Sequence, residues 1–490
     1  MNYISLYNNE KVSRKDIPLL DYMNFLELNT GILAGQPHRH CASLFGFNEG
    51  ERVILICSIA DDQTNKILVS STVVERRNTY HSLTAVNHNF ENFEREIHES
   101  LGVEYSDHPW LKPYRKIENY PFLKPGSEEL HEVGVGPIHA GIIEPGHFRF
   151  ICNGEQIMHL EISLGYQHRG IEELIKNKEG ILERATLAEN ITGDTVVGHT
   201  SAFSNLWESL CGYERKPYLD YTRTLAMEME RVAVHTGDLS ALCGDIGYQL
   251  GSAVYGRLRT PIVNFMQEWC GNRLSKGLIR PAKVNYAFSD KLAERLKSTL
   301  KVYEVEFNEM SSKLASLPSA LSRFEKTGVV SLDVMSEIGA VGMAARASGL
   351  RRDIRESHPF NLYGKMINHD PVLKRHGDVY SRVQIRREEI RQSLAYIRTM
   401  LDDIALFEKP ANIQLSPSAD SFVISLTEGW RGEICHCALT DKEGKLIKYK
   451  IKDPSLHNWM ALAQAVRNNE ISDFPVCNKS FNLSYCGHDL

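Results

Sequence analysis

The sequence lacks the long apolar run that a membrane-spanning helix requires. Its longest such run, residues 53–60 interrupted by Ser58, falls far short of the ~20 residues that cross a bilayer. Residues 1–16 mix Asn, Glu, Lys and Arg without an apolar stretch, so they do not resemble a signal peptide. We therefore expect a cytoplasmic protein that reaches a membrane only through its partners.

An excess of positive charge is also missing. Lys and Arg number 56 against 62 Asp and Glu, and the sequence pI is about 6.4, so no basic field favours nucleic acid as a partner. No Walker loop, G-x-G-x-x-G motif or nucleophile elbow occurs, which leaves direct nucleotide binding without support. The alternating charges of residues 386–391 predict a solvated helix face and not a nucleic-acid patch.

Ten cysteines are present, but none forms a C-x-x-C pair. In a cytoplasmic chain free thiols are expected, and a cysteine-based zinc or iron–sulfur site is not. Residues 38–41 (His-Arg-His-Cys) do not suit one tetrahedral site, because neighbouring side chains on an extended chain point apart. Cys435 and Cys437 share one face of a predicted strand, which favours buried structural thiols. We predict no metal ligand in this chain.

The hydrophobic patterns predict an α+β fold in two parts. Residues 1–125 form a small α/β domain, with buried strands at 52–59 and 66–74 and an amphipathic helix at 90–101. A proline-containing linker at 114–126 leads into the second domain, residues 126–490. That domain opens with a hairpin at 148–164, closes with a second hairpin at 432–451, and carries long helices at 220–237 and 378–407 between them. We expect β-hairpins around a central helical bundle.

Two short segments concentrate polar chemistry. Residues 136–150 hold His139, Glu144 and His147 among glycines and prolines just before the hairpin. A loop of this kind can present proton-handling groups to a buried site, or it can be a Gly/Pro turn with solvated histidines. The second segment, residues 165–172, lies at a strand-to-helix junction, where functional groups often gather. Its polar residues are Tyr166, His168, Arg169 and Glu172.

These segments resemble the large subunits of membrane-bound (group 4) nickel–iron hydrogenases and the homologous 49-kDa, quinone-site subunit of respiratory complex I. The similarity continues through residues 228–235, 346–355, 376–382 and 428–433. The first domain resembles the 30-kDa subunit of complex I, a docking domain. This fused layout is similar to the large subunits of formate hydrogenlyase and hydrogenase-4. The motifs are Gly136-Pro137-x-His139, Gly165-Tyr166-x-His168-Arg169-Gly170-x-Glu172, Glu228-x-Glu230-Arg231, Arg346-Ala347-Ser348-Gly349-x-x-x-Asp353, His376-Gly377-Asp378, Glu428-Gly429-x-Arg431-Gly432-Glu433 and, in the first domain, His108-Pro109-x-Leu111.

The resemblance also shows what this sequence has lost. A nickel–iron centre in that family is held by four thiolates, since such a metal pair requires soft sulfur ligands. At the matching positions this chain carries Thr192, Thr195, Ser484 and Gly487. Hydroxyl groups stay protonated at neutral pH and glycine offers no ligand, so the resemblance implies no nickel–iron centre. Cys486 lies one residue out of register.

Complex I also lacks these thiolates and reduces quinone in the same region. Tyr166 matches its quinone-site tyrosine, whereas Pro145 stands where its quinone histidine would be. Glu144 resembles the proton-transfer glutamate of the hydrogenases. The resemblance therefore implies proton handling by Glu144, His139 and His168. It implies binding of a quinone or another acceptor by Tyr166, Arg169 and His147. For each role a structural polar contact is the alternative.

The same motifs imply supporting roles. Arg346 and Asp353 would form an ion pair, and Glu172 and Asp489 would support the residues of the predicted site. The family implies a peripheral subunit on the cytoplasmic side of a membrane complex. Its partners would be an iron–sulfur small subunit and membrane subunits resembling the quinone-channel and antiporter-like subunits of complex I. The chain would pass electrons to an acceptor and couple this to ion translocation. The alternatives are a non-catalytic coupling or scaffold subunit and an active hydrogenase.

Overall fold

The apolar segment predicted as a strand lies at the centre of an amino-terminal sheet in the computed structural model, which describes residues 2–139, 143–405 and 414–490. The strand extends over Arg52–Asp61 and pairs on both sides with long antiparallel strands. The elements of this part are β1 (Ile4–Leu6), β2 (Lys11–Ser13), β3 (Leu19–Leu20), α1 (Tyr22–Leu33), β4 (Arg39–Glu49), β5 (Arg52–Asp61), β6 (Lys66–Glu75), β7 (Thr79–His81), α2 (Glu91–Leu101) and β8 (Glu104–Ser106).

The amino-terminal sheet has the order β1-β6-β5-β4, with β3 parallel to β6. Helices α1 and α2 pack on it and bury Phe25 and Phe93. Helix α2 confirms the predicted helix, except that a 3-10 turn at residues 88–90 precedes it. It ends at Gly102, whose φ of +68° suits glycine because no Cβ opposes a left-handed conformation.

The second part has β-hairpins around a helical bundle, as predicted. Its elements are β9 (His131–Val135), β10 (His147–Asn153), β11 (Gln156–Ser163), α3 (Ile171–Asn177), α4 (Ile181–Glu189), α5 (Val196–Leu210), α6 (Pro217–Asp245), α7 (Gln249–Cys270), β12 (Ile279–Arg280), β13 (Lys283–Val284), α8 (Asp290–Ser316), α9 (Pro318–Phe324), α10 (Leu332–Glu337), α11 (Gly342–Ala347), α12 (Ile354–Ser357), α13 (Val379–Asp402), β14 (Ser421–Glu428), β15 (Glu433–Thr440), β16 (Leu446–Lys452), α14 (Ser455–Ala465), α15 (Phe474–Phe481) and α16 (Tyr485–Asp489).

Helix α6 is the centre of the helical bundle and packs against α5, α7 and α13. It is longer than predicted and begins at Pro217, in the first turn, where a proline costs no hydrogen bond. Helix α13 begins after Asp378, whose side chain accepts a hydrogen bond from the Ser381 amide at 2.8 Å. Helix α13 ends at Asp402, whereas the predicted end, residue 407, lies outside the described residues. Within the described ranges, no helix is both long and apolar enough to cross a membrane.

The carboxy-terminal sheet joins the two parts of the chain. Its order is β16-β15-β14-β2, so that β2, from the amino-terminal part, pairs antiparallel with β14. The His40 imidazole of β4 also contacts the Glu433 carboxylate of β15 at 2.6 Å, and both side chains are fully buried. The division at residue 125 stays a prediction, but the structure places a strand from before it in a sheet of the second part.

One prediction about α13 is wrong. The alternating charges of residues 386–391 predict a solvated face, yet Arg386 and Glu389 are completely buried. Each finds an opposite charge from another element: Asp238 lies 2.9 Å from Arg386, and Arg346 lies 2.5 Å from Glu389. Only the outer pair, Glu388 with Arg391, is solvated. A buried charge needs a partner, and here distant segments supply it.

Candidate functional site

Two loops converge where the family motifs would place metal ligands. Thr195 precedes α5 and Ser484 caps α16, accepting a hydrogen bond from the Gly487 amide at 2.9 Å. The Ser484 hydroxyl donates to Thr192 Oγ1 at 3.1 Å, which joins the two loops. We call these four residues, Thr192, Thr195, Ser484 and Gly487, the ligand-position cluster. The structure therefore brings together the positions that the motifs identified.

An aspartate and an arginine complete one side of this cluster. Asp194 accepts a hydrogen bond from Thr192 at 3.0 Å and two from Arg431 at 2.7 and 2.6 Å. Arg431 also donates to Thr195 Oγ1 at 3.1 Å and to the Asn482 carbonyl at 2.5 Å. Burial opposes ionisation of Asp194, but the guanidinium outweighs it and keeps the pKa of Asp194 below its ordinary value. This ion pair ties β14–β15 to both loops.

The donor set of the cluster does not fit a nickel–iron centre. It offers three hydroxyl groups and no thiolate. A Cβ atom on Gly487 would lie 2.7 Å from Asp453 Cγ and 2.8 Å from Ser484 Oγ, so a cysteine there would displace its neighbours. Across the residues that the structure describes, no group of three or more His, Cys, Asp or Glu side chains is arranged to hold a metal ion.

Cys486 is a functional candidate that sequence reasoning missed. Its thiol lies 3.5 Å from the Ser484 hydroxyl, beside Thr192 and the Glu144 carboxylate. Burial and the nearby Glu144 carboxylate raise the pKa of Cys486 to about 11, so the thiol keeps its proton at neutral pH. The only sequence signal was its place one residue from the lost ligand pattern.

Among the described residues of the predicted proton-handling loop, Glu144 reaches the cluster. This carboxylate accepts a hydrogen bond from the Tyr485 amide at 3.3 Å and contacts Cys486. The two histidines face their own loop instead. His139 Nε2 lies 2.9 Å from the Gly146 carbonyl, and His147 Nδ1 lies 3.0 Å from the Gly136 carbonyl. They hold the two ends of the loop together.

The loop of residues 165–169 docks on the last turn of α16. Asp489 accepts hydrogen bonds from the Gly165 and Gln167 amides at 2.8 and 2.9 Å. His168 Nδ1 lies 2.7 Å from the Asp489 carbonyl oxygen. Tyr166 is half-buried, and its burial raises the pKa of the phenol above its ordinary value. Asp489 therefore fixes the backbone on both sides of Tyr166.

Arg169 acts as a clamp between loops. Its guanidinium donates to the carbonyl oxygens of Asn190 at 2.6 Å, Ile191 at 2.8 Å and Cys486 at 3.1 Å. These contacts use most of its donors, so the geometry favours a positioning role over direct binding of an acceptor. Glu172 is likewise structural: it accepts from the Ile451 amide at 2.9 Å and pairs with Lys450 at 3.0 Å, which fastens α3 to β16.

Arg346 and Asp353 form an ion pair at 3.0 Å. They belong to a buried charged network that we define as Arg346, Asp353, Arg355, Glu389 and Glu428. Arginines of this network hold the pKa values of Asp353 and Glu389 well below their usual range, although burial opposes this. Arg346 also contacts Glu428 at 2.8 Å, at the end of β14. The turn after Glu428 carries Arg431, so one turn separates the network from the ligand-position cluster.

A hydrogen-bonded chain leads from the cluster into the core. Asp453, which lies against Gly487, contacts His199 Nε2 at 3.0 Å. His199 Nδ1 lies 3.1 Å from His436 Nε2, and His436 Nδ1 lies 2.7 Å from the Tyr449 hydroxyl. All four side chains are buried. Sequence reasoning missed this hydrogen-bonded series because its members come from α5, β15, β16 and the residue after β16.

Glu230, a residue of α6, contacts the amino-terminal end of α5. It accepts hydrogen bonds from the Val197 amide at 2.8 Å and the Gly198 amide at 3.3 Å. Burial outweighs these two contacts and raises the pKa of Glu230 to about 8. It is therefore a carboxyl group near the cluster that can hold a proton at neutral pH.

Comparisons with known proteins match two separate parts of the chain. Residues 19–125 match the family model of the 30 Kd subunit of respiratory-chain NADH dehydrogenase, and residues 245–418 match that of the 49 Kd subunit. A chain of the membrane-bound sulfane sulfur reductase, an archaeal respiratory membrane complex, shares the fold with a TM-score of 0.68. That match has 22% sequence identity and covers 75% of this chain and 100% of the other.

Two relatives show the range of the similarity. Hydrogenase-4 component G of Escherichia coli is 28% identical over 378 residues, which are 76% of this chain but 64%, less than two thirds, of that protein. An NADH-quinone oxidoreductase subunit of Dehalococcoides mccartyi is 26% identical over 355 residues, which are 72% of this chain and 96% of that protein. These matches confirm the resemblance drawn from the motifs. The chain therefore fuses a domain of the 30 Kd subunit family with a domain of the 49 Kd subunit family of respiratory-chain NADH dehydrogenase, and it is homologous to hydrogenase-4 component G.

Proposed function

We propose that this chain is a peripheral subunit of a membrane-associated, complex I-like oxidoreductase, placed on the cytoplasmic side. It would take electrons from an iron–sulfur cluster in a partner subunit and pass them to a quinone or another small acceptor beside the ligand-position cluster. The observation that carries the proposal is the convergence of Thr192 and Ser484 with Glu144 and Cys486. Polar groups gather there, and the donor set does not suit a nickel–iron centre.

Reduction of a quinone to a quinol takes two electrons and two protons. The electrons would come from the partner's cluster, and Glu144 and His168 are the proposed proton-handling groups. Tyr166 would orient the acceptor, with its loop held by Asp489. His139 and His147 stay predictions in their original roles, and their contacts within the loop favour positioning. Coupling to ion translocation would pass to membrane subunits resembling the quinone-channel and antiporter-like subunits of complex I.

The experiment is purification of the intact complex, metal analysis, and a screen of acceptors with a reduced donor. We expect reduction of at least one acceptor, no stoichiometric nickel, and slower turnover in the Tyr166→Phe variant. Tyr22→Phe is a matched control, since its hydroxyl bonds to His81 in the first domain. Equal turnover of wild type and Tyr166→Phe would contradict the role of Tyr166, and stoichiometric nickel would identify a hydrogenase.

A non-catalytic coupling or scaffold subunit is the second candidate. The contacts of Arg169 and Glu172 favour it, because both side chains are used to join elements of the fold. This alternative predicts that no acceptor is reduced, while deletion of the chain disassembles the complex. The acceptor screen and a size analysis of the deletion strain's complex separate the two candidates.

A further inference from the structure

The amino-terminal part of the chain touches the loop of residues 165–169, which we call the acceptor loop. Gly165 has a φ of +109°, and a Cβ atom on it would lie 2.1 Å from the Arg115 carbonyl oxygen, so a glycine is needed for the two backbones to approach this closely. The Arg115 guanidinium donates to the His488 carbonyl oxygen at 3.2 Å and to the Glu96 carboxylate of α2 at 2.7 Å. Arg115 therefore joins α2, α16 and the acceptor loop.

His488 lies at the centre of these contacts and is 6% exposed. The centroid of its ring lies 4.9 Å from that of Tyr114, and its Nδ1 atom lies 3.1 Å from Asp489 Oδ1. Burial opposes ionisation of Asp489, but hydrogen bonds from His488 and from two amides of the acceptor loop outweigh it and keep the pKa of Asp489 below its ordinary value. Because this carboxylate is ionised, Nδ1 of His488 carries a proton and donates the hydrogen bond.

The Asp489 carboxylate transmits this contact to the acceptor loop. Its Oδ1 atom accepts hydrogen bonds from His488 and from the Gly165 amide at 2.8 Å, and its Oδ2 atom accepts one from the Gln167 amide at 2.9 Å. Tyr166 lies between the two amides. Hydrogen bonds to an ionised group are stronger than neutral ones, so these three donors set the orientation of the carboxylate. Of the three, His488 lies outside the acceptor loop and holds the carboxylate from the other side.

We propose that His488 is a positioning residue of the acceptor site. It holds the Asp489 carboxylate in the orientation that fixes the acceptor loop, and it thereby sets the direction in which Tyr166 is presented. Through Tyr114 and Arg115, His488 also ties this loop to the amino-terminal part. The effect on the acceptor rests on the proposed function, whereas the hold on the loop is a property of the folded chain. The two are therefore measured separately.

Amide hydrogen exchange of the full chain, followed by mass spectrometry of peptides from residues 163–170, measures the hold on the loop. His488→Leu removes the donor to Asp489 and should speed exchange of the loop amides roughly tenfold, as for a lost hydrogen bond to a charged group. In His488→Asn the side-chain amide takes the place of Nδ1, so exchange should return towards the wild-type rate. His88→Leu is the matched control, since His88 also contacts the second part, pairing with Glu337 at 3.5 Å, and its loss should leave the loop unchanged.

Helix α5 is the internal reference for this experiment. Equal exchange of the loop in wild type and His488→Leu would overturn the proposal. Exchange that accelerated as much in α5 as in the loop would also overturn it, because His488 would then stabilise the fold in general.

The intact complex tests the consequence for the acceptor. His488→Leu should raise the KM for the acceptor several-fold and lower kcat less, because the loop binds and orients the acceptor. His488→Asn should restore the KM. An unchanged KM in His488→Leu, or one that His488→Asn does not restore, would overturn the positioning role. If the wild-type complex reduced no acceptor, the proposed function would be wrong, and the exchange comparison would still decide whether His488 holds the loop.

Discussion

The ligand-position cluster and the buried charged network lie on the two sides of the turn between β14 and β15. In the cluster, hydroxyl groups bond to one another and to Asp194. In the network, Asp353 and Glu389 pair with Arg346 and Arg355 at distances from 2.5 to 3.1 Å with no access to water. Both regions contain residues of the family motifs, but only the cluster departs from the motif chemistry.

The difference has a physical reason. The hydroxyl side chains of the cluster are neutral and find partners among themselves and in Asp194, so they leave no charge to be balanced. Removing one member of a buried ion network leaves an uncompensated charge, which costs about 3–5 kcal/mol. A fold can therefore change its metal chemistry at the cluster while it keeps the network as part of its core.

The largest expected effect is on the network. Glu389→Gln should lower the free energy of unfolding by about 3–5 kcal/mol, because Glu389 contacts Arg346 at 2.5 Å, Arg355 at 3.1 Å and His235 at 2.8 Å. Urea unfolding measures the change. Glu388→Gln is the matched control, since this more exposed neighbour pairs with Arg391 and its loss should cost about 0–1 kcal/mol. Equal costs for the two variants would contradict the contrast between buried and solvated charges.

The next effect tests whether the cluster has room for a side chain at Gly487. Gly487→Ala should cost about 1–3 kcal/mol, because the added Cβ lies 2.7 Å from Asp453 Cγ. Asp453 cannot easily move, since His199 and the Ser455 amide hold it at 3.0 and 2.8 Å. Gly193→Ala in the facing loop is the control: its Cβ would meet nothing within 4 Å. A Gly487→Ala variant as stable as Gly193→Ala would show that the site is open.

The sequence predicted the elements of both regions better than their contacts. The hairpin before Tyr166, the long helix α13 and the positions of Thr192 and Ser484 followed from periodicity or motif. The burial of Glu389 could not be predicted in this way. Charges that alternate along one helix resemble a solvated face, and only the folded structure shows that Arg346 of α11 pairs with Glu389. The pairing of β2 with β14 joins segments about 400 residues apart, and a three-residue strand carries too little pattern to reveal its partner.

Two glutamates should give the regions opposite responses to pH. Burial raises the pKa of Glu230, beside the cluster, to about 8. The folded protein therefore holds this proton more tightly than the unfolded chain, and the free energy of unfolding falls as pH rises from about 4.5 through 8. Arg346 and Arg355 lower the pKa of Glu389. The contribution of Glu389 to the free energy of unfolding is therefore lost only as pH falls below about 4.5. Glu230→Gln should flatten the decline in unfolding free energy between pH 5 and 9, a slope of at most ~1.4 kcal/mol per pH unit. An unchanged slope would contradict the assignment to Glu230.

The smallest effect concerns the thiol of the cluster. At pH 8 Cys486 should react slowly with iodoacetamide, because burial and the Glu144 carboxylate raise its pKa to about 11. Glu144→Gln removes the negative charge and should speed alkylation of Cys486 a few-fold, measured by mass spectrometry of peptides. Cys211 is the internal control, since its high pKa arises mainly from burial, with smaller effects from Lys11 and Glu208. If Cys211 accelerated equally, the variant would have loosened the fold, and Glu144 would not act on the cluster through its charge.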